Sequence, residues 1–371
     1  MIYADNAATT QLDKDAFEAM KPFLLEQYSN ASQPYSFSRA SKTALKQARE
    51  MIASCINADS DEIYFTSGGS ESDNWAVKGI MLEYADSRAL ITSQIEHHAI
   101  LHSAASIERL GYPVAYIPAD HEGIVLPSAL ETYISERTKL VSVMYANNEI
   151  GSIQPIKELS RIAHAYGALF HTDAVQAVGH VEIDVKELDI DMLSASAHKF
   201  NGPKGVGFLY VRKGTVLHSF VDGGAQESGL RAGTENIAGI VGMAAALQSN
   251  NSKLSDNEKH LFRMEKALVE TLRASSLDFI RNGSSNHIPG NVSLSFKGAS
   301  GEMLLHRLDL KGICVSTGSA CDSKNTQISH VLHAIALPEE YAQGTIRVSF
   351  GKNNTEDEAR SVAEAIIAIL Q

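Results

Sequence analysis

The chain has 371 residues, a net charge of −12, and 44% hydrophobic and 20% charged side chains. That composition predicts a folded protein of about two domains, and an acidic balance without a Lys/Arg stripe argues against direct nucleic-acid binding. The longest apolar run, near 240–247, falls far short of the roughly twenty residues that cross a bilayer, so no membrane role is expected. Met1-Ile2-Tyr3-Ala4-Asp5-Asn6 has neither a basic start nor an apolar signal core, and Cys55, Cys314 and Cys321 form no CxxC pair. Both features predict a cytoplasmic protein with reduced thiols.

From about residue 60 to 210, short β-rich runs alternate with amphipathic stretches. Strands are expected at 62–66, 89–93, 114–118, 140–146, 168–172, 192–195 and 207–211, with helices at 73–84, 98–110 and 156–166. This alternation predicts an α/β fold with a mainly parallel sheet covered on both faces, and ligands at the strand carboxyl ends. A helix over 235–249 leads into the polar stretch 249–253, read as a domain boundary. Beyond it come helix 256–274, strands 279–282 and 292–296, helix 301–309, strands 313–316 and 345–350, and helix 356–370. These give a smaller α+β C-terminal domain. The division is 12–251 for the large domain and 252–371 for the small one, with segment 1–11 packing near the latter.

Lys199, in Ala197-His198-Lys199-Phe200-Asn201-Gly202-Pro203-Lys204-Gly205, follows an apolar strand that ends in small polar residues. A lysine so placed can lose its proton and condense with a carbonyl, which an ordinary surface ammonium cannot. Asp173 ends another apolar strand. A Schiff-base lysine with an acid for a pyridinium nitrogen is the pair that pyridoxal 5'-phosphate requires. The turn Ser67-Gly68-Gly69-Ser70-Glu71 joins a strand to a helix start, where backbone N–H groups hold a phosphate dianion, with Ser196 and His198 as further donors. Ser70 with Asp73 also reads as a capping box at the same turn. Gln176, near Asp173, is placed to reach the ring's phenolic oxygen, and His97, after a strand end, to stack on the ring. His98 and His102 have the i,i+4 spacing of metal ligands. They lack an interleaved Glu and an evident third ligand, so no metal is expected.

Cys321 sits among Gly, Ser, Asp and Asn in a segment that reads as an exposed loop, whereas Cys55 and Cys314 lie in apolar patterns and are assigned no chemistry. Nine residues separate Cys321 from the next apolar stretch, a tether of roughly 30 Å when extended. Arg347 is mid-strand in the second domain. It is equally readable as a bidentate site for an amino-acid carboxylate and as half of a structural ion pair.

Together these segments resemble the cysteine desulfurases of the NifS/IscS type, in the pyridoxal-phosphate-dependent class V aminotransferase family. The resemblance rests on Tyr3-Ala4-Asp5-Asn6-Ala7-Ala8-Thr9-Thr10, the 66–72 turn, Asn147-Asn148-Glu149-Ile150-Gly151, Asp173/Gln176, Ala197-His198-Lys199, Arg231-Ala232-Gly233-Thr234-Glu235-Asn236 and, most discriminating, Ser316-Thr317-Gly318-Ser319-Ala320-Cys321. It implies the aspartate-aminotransferase-type fold and a homodimer in which Thr234 reaches the partner's cofactor phosphate. It also implies that Asn148 lies near cofactor and substrate. The implied reaction removes sulfur from L-cysteine, giving L-alanine and a persulfide on Cys321. Lys199 and His97 would take part in catalysis and Arg347 in substrate binding. The sulfur would pass to an iron–sulfur scaffold or a tRNA thiolation enzyme. Rival readings are another enzyme on this fold, such as an aminotransferase or selenocysteine lyase, and a non-enzymatic sulfur-assembly scaffold. The chain departs from the family's usual blocks at 29–35 and at Asp222-Gly223-Gly224-Ala225.

Overall fold

The computed structural model describes residues 1–83, 88–317 and 328–371. In chain order the strands are β1 (Ile2–Tyr3), β2 (Ile63–Thr66), β3 (Ala89–Ser93), β4 (Val114–Ile117), β5 (Thr138–Ser142), β6 (Leu169–Asp173), β7 (Met192–Ser196), β8 (Gly207–Val211), β9 (Phe279–Asn282), β10 (Asn291–Phe296), β11 (Ile313–Cys314) and β12 (Thr345–Ser349). The longer helices are α1 (Lys14–Leu25), α2 (Arg39–Cys55), α3 (Gly69–Met81), α4 (His98–Arg109), α5 (Pro127–Tyr133), α6 (Ile156–Ala165), α7 (Ile237–Asn251), α8 (Leu254–Arg273) and α9 (Gly301–Leu310). The short α10 (His330–Ala334) and α11 (Glu339–Ala342) precede the closing helix α12 (Glu356–Leu370).

The central sheet runs β2-β8-β7-β6-β5-β3-β4, and every pair is parallel except those made by β8. Its strands are apolar on both sides, because helices cover both faces. Phe208 and Tyr210 of β8 enter one core with residues of α2, α6 and α7. Leu209 and Val211 enter another with Trp75, Ile80, Ile100 and Ile107 of α3 and α4. Such two-sided burial is what a strand in a parallel sheet requires, and it turns the carboxyl ends of β2, β3, β5, β6 and β7 to one edge.

A second core, with Leu268, Val292, Leu294, Ile346, Val362 and Ile366, packs α8, α9 and α12 on the antiparallel sheet β12-β10-β9. The N-terminal segment joins this layer, with Ile2 opposite Ile313 and Tyr3 opposite Cys314. Sequence reading passed over α1, α2 and α5. The expected strand 140–146 leaves the ladder after Ser142, although Val143 and Tyr145 still donate to His171 O and Asp173 O at 3.1 and 2.8 Å. No helix among the described residues is long and apolar enough to cross a membrane.

Candidate active site

The strand ends bring most of the singled-out residues to one edge. After β2 the chain turns at Gly68, whose φ of +147° is a conformation that favours glycine, and α3 starts at Gly69. The first N–H groups of that helix have no intrahelical acceptor, and they face a hollow lined by Thr9, Ser67, Gly68, Gly69, Ser196 and His198 among others. The strands are crowded here. A Cβ at Gly207 would lie 2.4 Å from Ala195 O and 2.7 Å from Gly68 Cα. The Ser70/Asp73 capping box does not form: Gly68 is the N-cap and no side chain caps the helix, while Glu71 reaches back to accept from Ser67 N at 2.8 Å and pairs with Arg231 at 2.7 Å. Asp73 instead turns inward and is buried.

Lys199 closes a short 3-10 turn after β7, and its Nζ donates to Ala7 O at 2.6 Å and Ala8 O at 3.0 Å. Gln176 Nε2 donates to the same Ala7 O at 3.1 Å, and His198 Nδ1 lies 3.1 Å from Thr9 Oγ1. The N-terminal strap 5–10 thus lies across the floor of the site. Burial, then the Lys199 and Lys204 charges, push the His198 imidazole down to about 4, so it stands neutral beside the hollow.

Asp173 ends β6, fully buried, and accepts from Val175 N at 2.9 Å. Burial raises its carboxyl, with His97 and Lys199 pulling the other way. His97 is the N-cap of α4, and its Nδ1 accepts from Ala99 N at 3.2 Å, which assigns the ring proton to Nε2. Burial holds that imidazole below its usual range despite Asp173. Ligand atoms of Asp73, His97 and Asp173 lie within 4.8 Å of one another, and Asp73 Oδ1 has no hydrogen-bond partner.

Sequence reading missed the polar layer beneath. His171 is fully buried between Ser142 Oγ at 2.9 Å and Ser194 Oγ at 3.0 Å. Burial pushes it down to about 3, so its 4.0 Å approach to Asp73 is no ion pair. Asp73 is raised well above the carboxylate range by burial and by Asp173, and Glu96, up to about 8, also chiefly by burial. The charge of Asp173 thus bears on both buried acids, Asp73 and Glu96. Perturbed groups gathered in this manner mark functional edges.

Arg347 on β12 is buried. Its Nη2 donates to Asp5 Oδ1 at 2.7 Å and its Nη1 to Asn148 O at 2.9 Å, while Nε has no partner among the described residues. Burial lifts the neighbouring Glu149 to about 7, against the opposing pull of a Ser329 hydrogen bond and then of the Arg347 charge. His330 supplies a third imidazole to the His98/His102 pair, its ring 5.0 Å from that of His98, but its Nε2 is 3.0 Å from Glu96 O. That trio does not bring its ligand atoms as close as Asp73, His97 and Asp173 do. Thr234 is exposed and does not line the hollow of its own chain. Cys321 lies outside the described residues.

The donor set fits pyridoxal 5'-phosphate. Small-residue cradle and helix start suit a dianion, Asp173 suits a protonated ring nitrogen, and the Lys199 amine lies near enough to Asp173 for its charge to lower that carboxyl.

A profile of the aminotransferase class-V family matches residues 2–362. A protein named cysteine desulfurase IscS from Dictyoglomus turgidum is 46% identical over 372 residues, covering 100% of this chain and 94% of that relative. One of the same name from Methanosarcina thermophila is 45% identical over 100% of this chain and 92% of the relative. Among solved structures, a NifS-like protein superposes with a TM-score of 0.94 at 37% identity, covering 100% and 99% of the two chains. A structure described as SspA in complex with cysteine gives 0.84 at 34%, covering 95% of this chain and 99% of the other.

Proposed function

The chain belongs to the aminotransferase class-V family and, within it, to the cysteine desulfurases, and from that premise we propose that it takes sulfur from L-cysteine with pyridoxal 5'-phosphate as cofactor, leaving L-alanine. The observation that carries the reading is that Lys199, Asp173 and His97 follow the carboxyl ends of β7, β6 and β3 closely enough to act on one another electrostatically, while Ser196 and His198, beside Lys199, line the Gly68–Gly69 hollow after β2.

When bound, the cofactor supplies an aldehyde for an amine and a ring that accepts electrons. Lys199 offers the amine and, once freed, moves the proton at the substrate Cα. Asp173 holds a proton at the ring nitrogen through a charge-assisted hydrogen bond worth about 1.5–3 kcal/mol. Gln176 would reach the phenolic oxygen. Gly69, Ser70, Ser196 and His198 would hold the phosphate, and the His97 Nε2–H would be turned to the ring. Arg347, steadied by Asn148 O, receives the substrate carboxylate. The Cys321 thiolate attacks the substrate sulfur. The S–S bond forms as the C–S bond breaks, and the electron pair of the broken bond stays on the substrate carbon, which a proton then completes to alanine. The sulfur passes on to an acceptor protein, an iron–sulfur scaffold or a tRNA thiolation enzyme.

We read 12–251 as the cofactor domain and 252–371 as the smaller one. A homodimer is supported by Leu24, Leu25, Tyr28, Tyr35 and Phe37, large apolar side chains left exposed around the 29–35 segment. Thr234, exposed on its own chain, would then serve the partner's phosphate.

Borohydride treatment of the purified protein followed by peptide mapping should leave the cofactor attached to the Lys199 peptide. Mixing with L-cysteine should add about 32 Da, one sulfur atom, to the Cys321 peptide. Sulfide release that persists at wild-type rate in Cys321→Ser removes the thiol from the mechanism. Cofactor mapped to another lysine overturns the assignment of the site.

A further inference from the structure

The guanidinium of Arg347 has five N–H groups. Among the described residues Asp5 takes one on Nη2 and Asn148 O one on Nη1, so three remain, including the buried Nε–H. Asp5 is not there by chance of rotamer. Ala4 N donates to Cys314 O at 2.9 Å, Ser349 N to Ala4 O at 2.8 Å and Asn6 N to Ser349 O at 3.0 Å, which lays the N-terminal segment along β12. Ala7 N donates to Ser349 Oγ at 2.9 Å and fixes the next turn. Arg347 and Ser349 are two apart on one strand, so their side chains share a face and Asp5 is delivered onto the guanidinium.

The pair has two consequences. Two fixed acceptors hold the fork of Arg347 at one angle and still leave donors for a single carboxylate. The charge of Arg347 is also balanced before any ligand arrives, so this end of the pocket is close to neutral. A net-neutral amino acid loses little there, but once its carboxylate shares Arg347 with Asp5 the cluster is net negative, so a second anionic group on the ligand is repelled.

We propose that Asp5 is a positioning and specificity residue, which orients Arg347 toward one carboxylate and turns away amino acids of net negative charge. The proposal rests on the reading of Arg347 as the substrate-carboxylate site.

Asp5→Asn tests it in the cofactor-loaded enzyme, since Asn keeps an acceptor for Nη2 without the charge. The probes are L-alanine and L-aspartate as inhibitors against L-cysteine, with binding of each also followed by calorimetry. A merely structural loss would move both inhibition constants alike. The expected result is that the constant for L-aspartate falls relative to that for L-alanine by roughly fivefold or more. A ratio unchanged within about twofold overturns the proposal while leaving Arg347 in place. Arg347→Gln is the control on the underlying reading. If it leaves the L-alanine constant and the KM for L-cysteine unmoved, Arg347 is not the carboxylate site and both ideas fall together. Asp5→Ser carries the same comparison should the Asn variant not fold.

Discussion

Replacing Glu96 with Gln removes a titratable carboxyl that the fold holds in a place with almost no water. Glu96 is fully buried. Its Oε1 accepts from Ser93 Oγ at 2.5 Å and Met144 N at 2.9 Å, and its Oε2 has no partner. Burial, with a smaller push from Asp173, lifts its carboxyl from the ordinary 4.5 to about 8. A group whose folded value lies above its unfolded value gives its full stability below about pH 4.5. That stability drains away as pH rises toward 8, since the native state must then give up a proton it holds well. Each unit is worth about 1.4 kcal/mol, so the whole window is worth roughly 4–5 kcal/mol at most. Gln keeps an acceptor for Ser93 and Met144 and does not titrate. The difference in stability, Glu96→Gln minus wild type, should therefore rise by several kcal/mol between pH 5 and pH 8.5. Urea unfolding of the cofactor-free protein at fixed concentration, read as midpoint and slope at each pH, measures it. A difference that stays flat across that range would refute the account of Glu96 as a buried neutral acid.

Gly207→Ala should cost at least about 2 kcal/mol and empty the site of cofactor, because the new methyl meets the backbones of Ala195 and Gly68, which cannot swing aside; thermal unfolding and the visible absorbance of the purified protein check both. His164 bridges Asp189 at 2.8 Å and Asp191 at 2.7 Å, and the Asp191 hydrogen bond chiefly raises it. Its contribution, about 1 kcal/mol, is present below pH 6.5 and fades as pH rises through the raised value, so His164→Gln should destabilise at pH 5.5 and hardly at all at pH 9. Glu227 grips Arg49 with both oxygens, at 2.7 and 2.8 Å, and also accepts from Phe65 N at 2.9 Å. Glu227→Ala should lower stability by about 2–4 kcal/mol, while Arg49→Met in the same background recovers part of it.

The sheet was legible because two-sided burial writes unbroken apolar runs, and strands 89–93, 207–211 and 279–282 and helix 356–370 fall where the pattern placed them. Helices α1 and α2 were not legible. Pro22 interrupts the first, and the second shows its core only through small residues, Ala44 and Ala48 before Ile52. Within the site, residues that follow a strand end could be read from local sequence, as with Lys199, Asp173 and His97. Asp73 could not, since an acid in a first helical turn reads as a cap and only the neighbouring strands show that it faces inward. Arg347 stood undecided for a plainer reason. Its partner Asp5 lies 342 positions away, and no spacing rule reaches that far.

That separation also sets the order in which the molecule can be completed during synthesis. Asp5 and Ala7 leave the ribosome well before their partners Arg347 and Ser349 on β12, which lie 342 positions further along the chain. The large sheet can collapse early around a half-made cleft, but its floor stays open until the small sheet has formed and the N-terminal strap has been drawn across it. A growing chain that has not yet reached β12 therefore carries Lys199 but no arginine to complete the pocket.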